Sequence, residues 1–222
     1  MSELDVHKTI IYYTGNNEDE KFENKIKKNI LKVKGDLPII SVSQKPIDFG
    51  ENICVGDVGQ TYLNAFRQVL IGCEAATTPF VVMAESDCLY PAKGYFDFQP
   101  SDQNIIYSYS NVWIMWNREN RERFYAHGTT HGSVIYGREF IINVLREALK
   151  NKPMWSRMKV GFDLYKPEYK WEFFAGKDPI INIKTRNGIS FGTTLKKGIR
   201  PQERFDCCGS VTDLKKELFD KG

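Results

Sequence analysis

The sequence predicts an α/β protein: a mixed, mainly parallel sheet flanked by helices, in a single domain. Three observations predict it. Strand-like and helix-like segments alternate through the first hundred residues, which is the pattern of a parallel sheet. The apolar run at residues 80–84 (FVVMA) lacks polar alternation, so both of its faces should be covered. No repeat, low-complexity tract or linker-like run divides the 222 residues, a length that one core can fill.

The elements follow in order. Residues 9–13 (TIIYY) are β-branched and aromatic and read as the first strand. Gly15, Asn16 and Asn17 then signal a turn. Between residues 18 and 35, Phe22, Ile26, Ile30 and Val33 recur at helical spacing, with acids first, lysines last and Gly35 as the stop. Residues 37–46 (LPIISVSQKP) hold a second short strand between two prolines, and residues 47–56 (IDFGENICVG) read as a loop. The clearest helix lies in residues 57–76. Its expected N-cap is Asp57, and Val58, Tyr62, Phe66, Val69, Cys73 and Ala76 form its apolar stripe.

After residue 100 the alternation weakens. Residues 104–116 read as two strands of a mixed or antiparallel region, and the charged run 117–124 as a loop. Residues 137–150 read as a helix with Phe140, Ile141, Val144, Leu145 and Leu149 inward. Residues 153–179 are aromatic and charged without a clear period. A late strand (PIINIK, residues 179–184) and a short helix near residue 220, with Ser210 as its cap, complete the expected elements. The change of pattern divides the single domain at about residue 100, into residues 1–100 and 101–222.

Composition excludes some classes. With 41% hydrophobic and 27% charged residues the chain should fold and not behave as a disordered tail. Its apolar runs are far too short to span a bilayer, and the opening MSELDVHK is charged where a signal peptide is apolar. A cytoplasmic location is therefore expected. Five cysteines (Cys54, Cys73, Cys88, Cys207, Cys208) fit neither a zinc spacing nor a disulfide framework, and reduced thiols are expected. The net charge of +3 is mild, but Lys184, Arg186, Lys196, Lys197, Arg200 and Arg204 concentrate positive charge against Glu203 alone.

The chemistry is expected at strand ends. In open α/β sheets, ligands bind at the carboxyl ends of the strands. Three such ends are polar here: residues 14–17, Ser43-Gln44, and Glu85-Ser86-Asp87. Two carboxylates one residue apart can hold a divalent cation that neutralises a diphosphate. The same triplet could instead form a turn cap, with Ser86 and Asp87 bonding loop amides.

The triplet at the end of the strand that follows the long helix resembles the acid-x-acid motif of the GT-A (Rossmann-type) fold of nucleotide-sugar glycosyltransferases. The resemblance is to family-2-like enzymes with an E-x-D version. It extends to Cys88-Leu89-Tyr90-Pro91, to Tyr95-Phe96-Asp97-Phe98 and to the preceding helix. It covers the first half of the chain closely and the second loosely, and implies a nucleotide-sugar-binding half (residues 1–100) and an acceptor-binding half (residues 101–222). It implies a nucleoside diphosphate sugar as donor and Mn²⁺ or Mg²⁺ on Glu85 and Asp87. It places Thr14, Asn16, Asn17, Ser43, Gln44 and Ser86 around the nucleotide, with Gln60 and Asn64 reaching the donor from the helix, and Arg67 either doing the same or standing as a surface charge. Such families often carry a metal-ligating histidine in the late strand. Residues 181–185 (INIKT) have none, and Lys184 and Arg186 are the cations that could neutralise phosphate in its place.

An inverting transferase needs a carboxylate or histidine to take the acceptor's proton. Asp163 and His131 are the candidates, with His127 and Glu172 nearby in sequence pattern. The acceptor is either a glycan or lipid-linked sugar, or a hydroxymethylated base in bacteriophage-type DNA, which would have to be flipped out of a duplex. Two other readings stay open: a non-catalytic nucleotide- or nucleic-acid-binding module, and a nucleotidyltransferase. Against the latter, the loop after the first strand has one glycine, no arginine, and acids where phosphate would sit.

Overall fold

The computed structural model describes residues 7–118, 120–189, 195 and 198–219. Lys196 and Lys197 of the basic stretch lie outside them. The first half runs β1 (Lys8–Thr14), α1 (Glu20–Val33), β2 (Ile39–Ser43), β3 (Glu51–Cys54), α2 (Tyr62–Ala75) and β4 (Phe80–Glu85). The second half runs β5 (Cys88–Leu89), β6 (Ile105–Tyr109), β7 (Val112–Trp116), β8 (Tyr125–Gly128), β9 (Val134–Gly137), α3 (Arg138–Ala148), β10 (Lys170–Phe174) and β11 (Ile180–Lys184). It closes with β12 (Arg204–Phe205), β13 (Gly209–Ser210) and α4 (Val211–Phe219).

One seven-stranded sheet has the order β10-β6-β9-β4-β1-β2-β3. β9 runs antiparallel to both of its neighbours, and the other pairings are parallel. The architecture is thus the expected mixed, mainly parallel sheet with helices on its faces. Strands from both sides of residue 100 share it. A second sheet, β5-β11-β7-β8, packs against one face.

The pleat explains the two-layer packing. Ile10 and Tyr12 of β1, with Val82 and Ala84 of β4, face Phe22, Ile26 and Ile30 of α1 and the second sheet. Ile11, Tyr13, Val81 and Met83 face Leu63, Phe66, Val69 and Leu70 of α2 and the inner side of α3. Each such fully buried side chain contributes about 1.5–3 kcal/mol. α2 lies close to the sheet because residue 72 is glycine: a Cβ there would meet Ile11 Cγ2 at 2.7 Å.

Three expectations change. Residues 51–54 are not loop but the edge strand β3. Asn52 ties it down, its amide nitrogen donating to the hydroxyls of Ser41 (3.0 Å) and Ser43 (2.8 Å). Asp57 does not cap the long helix. Thr61 does, accepting from the Asn64 amide at 3.2 Å, and Asp57 instead pairs with Arg157 at 3.1 Å. The aromatic stretch 153–179 contains β10, whose Phe174 stacks on Phe98 at 3.8 Å. An exposed edge strand carries little periodicity to read, and both β3 and β10 are edges. The expected cap at Ser210 is present, its Oγ accepting from the Asp213 amide at 3.2 Å.

The strand order reverses at β1. The chain goes outward from β1 to β2 and β3, then returns to the other side of β1 with β4. The crevice beyond the carboxyl ends of β1 and β4 is therefore the topological switch point, where open α/β sheets bind ligands.

Candidate active site

A cleft open to solvent lies at that switch point. Its floor is the end of β1 (Tyr13, Thr14, Gly15) and of β4 (Glu85, Ser86, Asp87). One wall is the start of α2, where Tyr62, Ala65, Phe66 and Val69 form an apolar shelf. Glu18, Asn17 and Gln44 form the polar side, and His131, Gly188 and Ile189 the rim. Among the described residues no lysine or arginine lines it.

The pleat and register place the acids. Tyr13 and Glu85 are register partners on adjacent strands, and the Tyr13 hydroxyl donates to Glu85 Oε1 at 2.7 Å. The Glu85 amide donates to the Tyr90 hydroxyl, which itself donates to the Gly132 carbonyl, so the turn after β4 is braced from below. Asp87, two residues on, turns toward the second sheet. Its carbonyl accepts from the Ile183 amide at 2.7 Å, and Lys184 Nζ stands 4.0 Å from its Oδ2. Glu18 closes the group from the other side, both its oxygens accepting from the Thr185 hydroxyl at 2.6 and 2.8 Å.

The electrostatics are those of buried carboxylates with further acids nearby. Burial pushes the Asp87 carboxyl up to about 6; Lys184 pulls it down, and Glu85 pushes it further up. Burial likewise pushes Glu18 up to about 7, the Thr185 hydrogen bond opposing and the charge of Asp87 adding. Glu85, Asp87 and Cys88 offer ligand atoms within 4.8 Å of one another. The Cys88 thiol is fully buried, and burial and the two carboxylates hold its proton firmly. The donor set that remains is two carboxylates, with a third in the same cleft. That is an oxygen set of the kind Mg²⁺ or Mn²⁺ takes together with substrate phosphates.

The other sequence-predicted residues divide. Thr14, Asn17, Gln44, Gln60 and Ser86 line the cleft, as does His131. Asn16, in the left-handed region at φ 51°, uses its Oδ1 to accept the Gln44 and Lys45 amides at 2.8 Å, clamping the β1 and β2 ends together. Gln44 is itself committed to the loop before α2, bonding Val58 and Gly59. Ser43 is fully buried and donates to the Lys45 carbonyl. Asn64 is buried and joins the Val58 and Gly59 carbonyls to Ser156. Arg67 faces the carbonyls of Leu149, Lys152 and Pro153 below α3. Arg186 lines a neighbouring groove with Arg118, Glu122 and Lys215, which meets the cleft at Glu18. Asp163 is exposed and is not among the cleft's lining residues.

Glu18 is the site residue that sequence reasoning passed over. Its position in the sequence groups it with the acids that open α1. Asp19 is the actual N-cap, accepting from the Phe22 amide at 3.1 Å. The residue before a cap lies outside the helix, so a carboxylate there is free to turn toward the strand ends. Thr185 is its partner, in the position where a late-strand histidine had been sought.

No protein-family model matches the chain, and no curated protein matches it. Among solved structures it is similar to S. aureus TarS, residues 1–349, in complex with UDP-GlcNAc. The identity is 11%, covering 84% of this chain and 61% of that one, with a TM-score of 0.42. It is also similar to the bifunctional IspDF from Campylobacter jejuni. There the identity is 12%, covering 77% of this chain and 50% of that one, with a TM-score of 0.37. The chain thus spans about half to three fifths of those chains. Function has to be argued from the site itself. Among the described residues no helix is long and apolar enough to cross a membrane.

Proposed function

We propose that this chain is a nucleotide-sugar-dependent glycosyltransferase, moving a sugar from a nucleoside diphosphate to a hydroxyl acceptor. One observation carries the proposal: Glu18, Glu85 and Asp87 share a cleft at the switch point whose described wall holds no lysine or arginine. Burial, with a smaller contribution from the neighbouring acids, disfavours the charged forms of Asp87 and Glu18. Glu85 and Asp87 would hold a divalent cation, which would offset the cost of their buried charge beside a donor diphosphate. Bound there, the cation supplies charge stabilisation to the departing diphosphate. The apolar shelf of Ala65, Phe66 and Val69 suits a nucleoside base, and Thr14, Asn17 and Gln60 supply polar contacts to it and its ribose.

A nucleotidyltransferase has to neutralise a triphosphate. The loop after β1 brings the acid Glu18 into this cleft, where such an enzyme needs cations, and the acidic lining suits a diphosphate on one metal better.

The test is turnover. The protein is incubated with Mn²⁺ and a panel of nucleoside diphosphate sugars. Glycans, lipid-linked sugars and hydroxymethylated DNA serve as acceptors. Mass spectrometry should find one acceptor heavier by one sugar, with the matching nucleoside diphosphate released. If no donor is consumed and none binds, the proposal fails. Binding without turnover favours a non-catalytic module.

A further inference from the structure

Three side chains form a hydrogen-bonded row that ends at the rim of the cleft. Tyr136, on β9, is 2% exposed, and its hydroxyl lies 2.6 Å from that of Tyr165. The Tyr165 hydroxyl lies 3.0 Å from His131 Nδ1. The imidazole is held edge-on to Phe66, at 4.7 Å between centroids, and stacked on Tyr165 at 5.8 Å. The adjoining Gly132 packs on the Glu85 carboxylate. His131 Nε2 has no hydrogen-bond partner among the described residues, and the residue lines the cleft.

The protons in this row can be counted. Each tyrosine hydroxyl brings one, and a neutral imidazole brings one. Suppose the imidazole proton sits on Nδ1 and is donated to Tyr165. One tyrosine proton in the row is then left without an acceptor, at about 1–3 kcal/mol for a buried donor. Suppose instead that Tyr136 donates to Tyr165 and Tyr165 donates to Nδ1. Both tyrosine protons are then used, and the imidazole proton is on Nε2, the nitrogen that has no partner in the row and belongs to a cleft-lining residue. Burial also pulls the imidazole's pKa down to about 4, so the neutral ring is the form present near neutral pH.

We propose that His131 serves the cleft as a fixed hydrogen-bond donor, its Nε2–H offered to a substrate oxygen, with Tyr165 and Tyr136 as the positioning residues that hold this tautomer. The oxygen belongs to a sugar hydroxyl or a phosphate. The proposal rests on the cleft being the substrate site of the proposed function, not on which donor fills it. It also changes the role foreseen for His131. A ring with its proton on Nε2 has no lone pair to take a proton from an acceptor hydroxyl, so that task falls to a carboxylate of the cleft.

The test is direct because the chain has three histidines. Long-range proton–nitrogen spectra of ¹⁵N-histidine-labelled protein distinguish the two tautomers, and His131→Gln assigns the signal. Near neutral pH, His131 should be in the Nε2–H form. In Tyr165→Phe the Nδ1–H form should gain population, and Tyr136→Phe should do the same to a smaller degree. An Nδ1–H ring in the unaltered protein overturns the proposal, and so does a folded Tyr165→Phe variant with an unchanged spectrum. Addition of Mg²⁺ and UDP should then shift the Nε2–H resonance. Calorimetric binding without that shift counts against the substrate contact. Failure of every nucleotide to bind counts against the proposed function instead, while the tautomer spectrum still decides this inference.

Discussion

Glu18→Gln should make the metal-free protein more stable at alkaline pH and leave it unchanged in acid. The substitution keeps an oxygen to accept from Thr185 and removes a charge that burial and Asp87 disfavour. The folded carboxyl titrates at about 7 against an ordinary 4.5. At about 1.4 kcal/mol per unit this displacement amounts to ~3 kcal/mol. Glu18 is only half-buried, so screening reduces the effect to about 1–2 kcal/mol. The sign follows from proton counting. Between 4.5 and about 7 the folded state holds the Glu18 proton and the unfolded state has lost it, so stability falls as pH rises through that window. Below the window both states are protonated and the charge is absent. Urea unfolding in EDTA, at about pH 4 and about pH 8, reads the difference. The variant should match the parent in acid and exceed it at the higher pH. An equal difference at both, or a less stable variant at the higher pH, would refute the raised Glu18 carboxyl.

Arg67→Ala should cost about 2 kcal/mol in the same assay, because three carbonyls lose a charged donor, while nucleotide binding persists. Gly132→Ala would drive a Cβ to 2.6 Å from Glu85 Oε2, and should weaken cation-dependent nucleotide binding by about tenfold with the circular dichroism unchanged. A thiol reagent should modify the exposed Cys54 and Cys207 in the native protein, and reach the buried Cys73 and Cys88 only on unfolding.

The first half of the fold was legible because its elements are buried on one or both faces. Ile10 to Tyr13 and Phe80 to Ala84 are uniformly apolar for that reason, and α1 shows a clean stripe over Phe22, Ile26 and Ile30. β3 and β10 were not legible. Each is an edge with one neighbour, and its side chains stay exposed or only half-buried, so neither imposes a clear period. The cap at Thr61 was missed for a local reason: Asp57, a stronger cap by type, precedes Gly59, and the loop held by Gln44 runs on past it. At the site, Glu85 and Asp87 stood out because charge ends an apolar strand. Glu18 did not, since a helix start is an ordinary place for acids. Asn64 and Arg67 have donor-binding residue types, but their hydrogen bonds run to Val58, Gly59, Ser156 and the end of α3. Residue type shows what a side chain can bond, and the fold decides what it does bond.

The central claim is that Glu85 and Asp87 hold a nucleotide's diphosphate through a cation. Calorimetric titration of UDP, GDP, ADP and CDP, with Mn²⁺ and with EDTA, tests it most directly. One nucleotide should bind with Mn²⁺ and lose most of its affinity in EDTA, and Asp87→Asn with Glu85→Gln should abolish the difference. Binding equally tight without the cation, or a cation effect that survives the double substitution, would contradict it.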